Sequence, residues 1–164
     1  VSLFGMFCSK GSKTWTSVMF ALFTISVSLM VGVSVLQYAP DIVIKAVVTT
    51  VIVVGAASIY SWRCAKNGQN LDFLGPALGI ILITVIIVSV MNIFIKSSAL
   101  GLGLCIVSVL LFTAFLVFDL ERLYSGREEG DDIFADPMIA AVGIYLDIIN
   151  LFLHLLELID RCSR

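Results

Sequence analysis

The chain has 164 residues, of which 60% are hydrophobic and 13% charged, with a formal net charge of −2 and a mean hydropathy of +1.09. Soluble domains carry roughly 25% charged residues, so about half that share points to lipid as the solvent. No basic patch is interleaved with aromatics, which excludes nucleic acid as the partner class, and Cys8, Cys64, Cys105 and Cys162 show no CxxC or His/Cys ligand spacing, so free thiols are expected.

After a short N-terminal segment (1–14), the spacing of apolar runs predicts five helices at about 15–37, 42–62, 73–95, 99–123 and 137–159, followed by a tail at 161–164. A hydrocarbon core about 30 Å thick needs about 20 apolar residues in helix, and backbone groups inside it must bond within the segment. The stretches Trp15–Gln37, Ile42–Trp62, Phe73–Ile95 and Ala99–Phe118 meet that length, and the third and fourth contain no charged residue. The fifth, Pro137–Ile159, opens with Asp136 as N-cap and Pro137 at the first helical position. Gly75-Pro-Ala77 and Gly101-Leu-Gly103 suit close packing at helix starts, Asn92 reads as glue between helices, and the acidic stretch Glu128–Asp132 reads as a solvated loop. The fold class is therefore all-α, a multi-pass transmembrane bundle with a central, acid-bearing last helix.

Lysine and arginine set the orientation. Lys10, Lys13, Arg63, Lys66, Arg122 and Arg127 fall on one side if the first four segments span, against Lys96 and Lys45 near the other. That bias places the N-terminus in the cytoplasm. A fully crossing fifth helix then carries Arg161 and Arg164 outside, against the rule, so the sequence leaves open whether that helix crosses or re-enters.

Asp147 lies near the middle of the fifth segment. An Asp at mid-bilayer costs about 2.5–3.5 kcal/mol on insertion scales, so such residues face a protein or water-filled interior and mark ion or proton sites. On a 3.6-residue period Ala140, Gly143, Asp147, Asn150, His154 and Glu157 form one stripe, small at first and then polar. For His154 and Glu157 the plainer reading is helix–helix glue or snorkelling at the far interface; for Asp147 the functional reading is the stronger. The preceding helix carries a similar stripe, Gly101, Cys105, Ser108, Phe112, Phe115 and Asp119. Consecutive antiparallel helices can present both carboxyls to one cavity, where two such groups cannot both ionise cheaply and one proton is shared.

Their depths are an obstacle. Asp147 lies ten residues beyond Pro137, about 15 Å along a helix, whereas Asp119 is about five residues from its helix end. They meet if the fifth helix begins well outside the membrane or the fourth one kinks. No Ser/His/Asp, Cys/His or HExxH arrangement appears, and Leu120 follows Asp119 where membrane aspartyl proteases carry a Gly-X-Gly-Asp motif, so no enzyme is expected.

The block Ile144-Tyr-Leu-Asp-Ile-Ile-Asn-Leu-Phe-Leu153 resembles the signature of the transmembrane Bax-inhibitor-motif (Bax inhibitor-1-like) family, and Phe118-Asp-Leu-Glu-Arg-Leu123 resembles its preceding aspartate motif. Asn70-Leu-Asp-Phe-Leu-Gly75 and Met91-Asn-Ile-Phe94 are similar to its middle helices. The resemblance covers roughly residues 15–160. It implies a multi-pass protein of the endoplasmic reticulum, Golgi or bacterial plasma membrane, associated with pH-dependent calcium leak and, in eukaryotes, with protection from cell death. Asp119 and Asp147 match the two carboxylates of the family's pH-sensing pair. Family members typically carry about two more N-terminal helices, so the sequence corresponds to the C-terminal five, as a truncated record or as a variant that builds its cavity differently.

The sequence-level expectation is a pH-sensitive, calcium-permeable leak that regulates ion homeostasis, with Asp119 and Asp147 as proton switch and weak calcium ligands. Asn150, His154 and Glu157 are secondary pathway candidates. No resident cofactor is expected, with calcium as the permeant ion and protons as the regulator; the partners are the lipid bilayer and membrane proteins. Two alternatives use the same chain differently: a non-conducting interaction protein acting on cell-death regulators or a membrane protease, and a proton-coupled transporter.

Overall fold

The computed structural model describes residues 13–69, 71–126 and 137–163. Cys8, Lys10, Arg127, the Glu128–Asp132 stretch, the Asp136 cap and Arg164 lie outside the described residues. All regular structure among those described is helical: α1 (Lys13–Val35), α2 (Pro40–Lys66), α3 (Leu74–Ile95), α4 (Ser98–Tyr124) and α5 (Pro137–Ser163).

The helix ends follow from local chemistry. Pro40 and Pro137 open α2 and α5, where a missing N–H leaves nothing unsatisfied. α2 runs past its apolar stretch through Arg63 to Lys66, and α5 runs past Ile159 through Arg161 to Ser163. Basic residues in the last turn face the negative end of the helix dipole, which favours that extra turn. Lys66 also stands over the Trp62 ring, 5.2 Å from its centroid. Between α3 and α4 the chain reverses in two residues. Lys96 adopts a left-handed backbone (φ 52°) and its N–H donates to the Asn92 carbonyl, while the Ser97 hydroxyl accepts from the Leu100 N–H. These are an αL cap and an N-cap back to back.

The chain divides into two compact units, 1–39 and 40–164. In the first, the hydroxyls of Thr24, Ser26 and Ser34 each donate to the carbonyl four residues earlier, at 2.8–2.9 Å. A hydroxyl in lipid has no water to bond, so it returns to its own helix. Thr50, Ser58, Thr84 and Thr113 do the same in the second unit.

The second unit is a four-helix bundle. α4 packs against α2, α3 and α5, and α5 packs against both α4 and α2. Ala57 of α2 meets Leu116 and Leu120 of α4, with Val54, Val117, Ile144 and Ile148 closing around them. Ser61, fully buried, donates from Oγ to the Val117 carbonyl at 3.0 Å and ties α2 to α4. α3 is peripheral: Leu78 is its one buried residue, and a Cβ added at Gly75 would lie 3.1 Å from the Phe118 ring, so its first turn sits close on α4.

Outside this core the surface is apolar. Leu110, Ile80, Val51 and Phe94 are 65–82% exposed, a pattern that in water would be an aggregation liability. α2, α3, α4 and the Ala140–Ser163 part of α5 are each long and apolar enough to cross a membrane. α4 and α5, at 27 residues each, are about 40 Å long, ample for a 30 Å core. The protein is an all-helical, multi-pass membrane bundle.

Lipid tails are as apolar as leucine, so stability here comes from packing and not from leaving water. Leu116 is completely buried and Leu110, on the same helix, is 65% exposed. Leu116→Ala is therefore expected to lower stability by about 2–3 kcal/mol, and Leu110→Ala to change it by less than about 0.5 kcal/mol. Thermal or denaturant unfolding in detergent reads both; equal effects would refute the inside–outside assignment.

Candidate functional site

The two stripes read from the sequence face each other across the α4–α5 contact. From the N-terminal end of α4, Gly101 lies under the Arg161 guanidinium and the buried Cys105 thiol lies near Glu157 and Arg161. Further along, the Phe112 ring stacks on His154 with centroids 5.5 Å apart. Asp119 then reaches Asp147. Numbers rise along α4 as they fall along α5, so the helices are antiparallel and neighbours from Gly101 to Asp119 of α4. Gly101, Cys105 and Ser108 are buried on this seam, while Ile106, Val107 and Leu110 point outward.

The Asp pair occupies the end of the seam nearer Tyr124. Asp147 is 8% exposed, and the acid whose charge bears on it is Asp119 of the facing helix. Two neighbouring carboxyl groups bond to each other only with a proton on one of them. The Oδ2 atom of Asp147 is buried without a hydrogen-bond partner among the described residues. An acid so placed offers a spare acceptor inside a membrane bundle.

α4 runs unbroken through Asp119 to Tyr124, so no interruption of that helix brings the acids together. Side chains on a helix lean toward its N-terminus. On antiparallel helices Asp119 therefore leans deeper and Asp147 leans back toward the Tyr124 end, and the two lean into the gap between them. Gly143, one turn before Asp147, completes the fit: a Cβ there would lie 2.9 Å from Asp119 Oδ2. The Asp119 carboxyl sits in the notch that glycine leaves.

Of the other candidates, His154 is half-buried against Phe112, and Asn150 is half-buried between it and Asp147. Glu157 accepts from Arg161 Nε and Nη2 at 2.9 and 2.7 Å. Asn92 has its Oδ1 buried without a hydrogen-bond partner among the described residues. Among those residues no group of three or more His, Cys, Asp or Glu is arranged to hold a metal. The Asp pair supplies two carboxyls, whereas calcium takes six to eight oxygens, a set that suits an ion in passage with its own water.

Two features were not read from the sequence. Glu121 is fully buried. Two residues from Asp119, it points about 200° around the helix from it, away from the Asp pair. Arg161, assigned to a tail by composition, belongs to α5 and closes over Gly101. Its spacing of four from Glu157 was the available signal. Cys64 and Cys105 are buried thiols and Cys162 an exposed one, none in a disulfide.

The whole sequence, residues 1–164, matches the family model Bax1-I, inhibitor of apoptosis-promoting Bax1. A BI1-like protein of Arabidopsis thaliana is 35% identical over 148 residues, covering 88% of this chain and 55% of the relative. Protein LIFEGUARD 2 of Arabidopsis thaliana is 31% identical, covering 84% of this chain and 56% of its own. An uncharacterised protein of Campylobacter jejuni is 28% identical, with 80% and 53% covered. Relatives thus occur in plants and bacteria, and the chain spans about half the length of these curated relatives.

The notch generates a test that needs no transport assay. Gly143→Ala favours helix by about 1 kcal/mol while its Cβ displaces the Asp119 carboxyl. The coupling between Asp119→Asn and Asp147→Asn in a double-mutant cycle on thermal stability, about 0.5–1.5 kcal/mol for such a pair, is expected to fall by at least half in the Gly143→Ala background. Undiminished coupling would show that the glycine plays no part in seating the pair.

Proposed function

The chain belongs to the Bax inhibitor-1 family of membrane proteins, and on that premise we propose that it is a pH-sensitive, calcium-permeable leak switched by Asp119 and Asp147. The observation that carries this reading is the seating of the Asp119 carboxyl in the Gly143 notch, one turn from the buried Asp147. With one proton between them the carboxyls hold α4 and α5 together. When the proton leaves, two negative charges at short range repel, the seam parts, and the same charges attract a divalent cation.

The sign follows from this chemistry. The protonated pair is the closed form, so flux rises as pH rises through release of the shared proton. Asn150 and His154, half-buried farther along α5, continue the route with polar groups that can replace part of an ion's water. The lysine and arginine bias puts the Asp pair nearer the cytoplasmic end of α4. The protein acts in a bacterial inner membrane or in an endoplasmic reticulum or Golgi membrane.

A second reading rests on the family's description, which names inhibition of apoptosis-promoting Bax1. In it the chain acts by binding a cell-death regulator, and the Asp pair only holds the bundle together.

Calcium entry into dye-loaded proteoliposomes at several pH values separates the two. Wild type is expected to show flux that increases with pH, and Asp147→Asn to lose most of the pH dependence and at least tenfold of the flux. A mutant that retains both would sink the carboxylate switch.

A further inference from the structure

At the opposite end of the α4–α5 seam the protein has a second closure, built with the other charge. Arg161 donates from Nε and Nη2 to a single oxygen, Glu157 Oε1, at 2.9 and 2.7 Å. That pair fixes the guanidinium in place across α4. A Cβ added at Gly101 would fall 2.9 Å from Nη1, 3.0 Å from Nη2 and 3.1 Å from Cζ. The guanidinium thus occupies the space that a Cβ at this position would fill. Beneath it, one turn further into the bundle, the Cys105 thiol lies near the pair and is 3% exposed. The pair itself is about one-third exposed, at 33% for Arg161 and 36% for Glu157. Polar side chains facing outward over a buried thiol describe a cover at the mouth of a seam.

The two ends are built on one plan. At one, Gly143 of α5 receives Asp119 of α4; at the other, Gly101 of α4 receives Arg161 of α5. Each notch takes a charged side chain from the facing helix, and each charge is held by an acid on α5, Asp147 or Glu157. A fixed guanidinium at a mouth repels cations, and Arg is suited to the task because its planar fork stays charged and holds two donors on one acceptor.

We infer that the Glu157–Arg161 pair seated on Gly101 is a clasp that shuts the far mouth of the α4–α5 seam, with Arg161 as the positioning residue. Its role in transport rests on the seam being the cation route proposed above; its role as a cover does not.

Cys105 reports the clasp directly. In a Cys8→Ser/Cys162→Ser background reconstituted in liposomes, labelling by a trimethylammonium methanethiosulfonate, itself a small cation, is followed at Cys105 and Cys64 by peptide mass. Both thiols are 3% exposed, and Cys64 lies on α2, so slow labelling at Cys64 certifies the fold. Arg161→Gln removes the guanidinium, and Gly101→Ala displaces it with a helix-favouring residue. Cys105 is expected to label at least tenfold faster in both variants, with Cys64 unchanged. No acceleration in either variant overturns the clasp. Calcium flux in the same vesicles, at the pH most permissive for wild type, is expected to rise at least twofold in Arg161→Gln. Flux that is present but unchanged also overturns the clasp as a closure of the route. Accelerated labelling with no flux in any variant removes the leak and leaves the clasp standing as a cover of the seam.

Discussion

The close antiparallel contact of α4 and α5 is the interaction on which the rest of the protein depends. In lipid there is no gain from hiding leucine, so two helices stay together by packing density and by polar groups that have nowhere else to bond. This pair has both. Gly101, Cys105 and Ser108 keep the α4 face small near one end, and Gly143 does the same for α5 near the other. The short side chains bring the backbones near enough for Asp119 and Arg161 to reach across. α2 completes the core through Ala57 and Ser61, and α3 is held by α4 alone among the principal contacts.

That contact explains how a membrane helix tolerates its acids. Asp147 would be costly facing lipid, and Glu121 is buried completely. The two carboxyls of α4 are divided between its two sides, Asp119 toward α5 and Glu121 away from it. Asp119 and Asp147 lie side by side on the facing helices, and a bond between two carboxyls needs a proton on one of them. A bond of that kind is sensitive to pH, which links the packing of the bundle to the function proposed for it.

The seam is also asymmetric in charge. One end holds two acids, Asp119 and Asp147; the other holds the Glu157–Arg161 pair set over a buried thiol. In the proposed leak an ion crossing between α4 and α5 meets two acids at one end and a guanidinium at the other, and the two proposed closures respond to different things, the first to protons and the second to whatever separates Glu157 from Arg161.

Much of this was legible in the residues. Apolar length alone gave the helices, because a backbone in hydrocarbon has no other way to bond itself. Pro137 marked the start of α5, and the 3.6-residue period put Asp147, His154 and Glu157 on one face and Cys105, Ser108 and Asp119 on another. What a period cannot supply is the partner of a face or the axial offset between two helices. Counting rise per residue from the helix ends put Asp119 and Asp147 at different depths, since it ignored the opposite lean of side chains on antiparallel helices and the room left at Gly143. Glu121 looked like any acid beside an arginine until α4 was surrounded by neighbours, and Arg161 looked like a tail until α5 continued to carry it over Gly101. Sequence determined which residues were helical, which faces were polar and which family they belong to, because those follow from local chemistry. Tertiary structure alone decided which charges meet, because contact depends on register, tilt and the absence of a Cβ on the opposite helix.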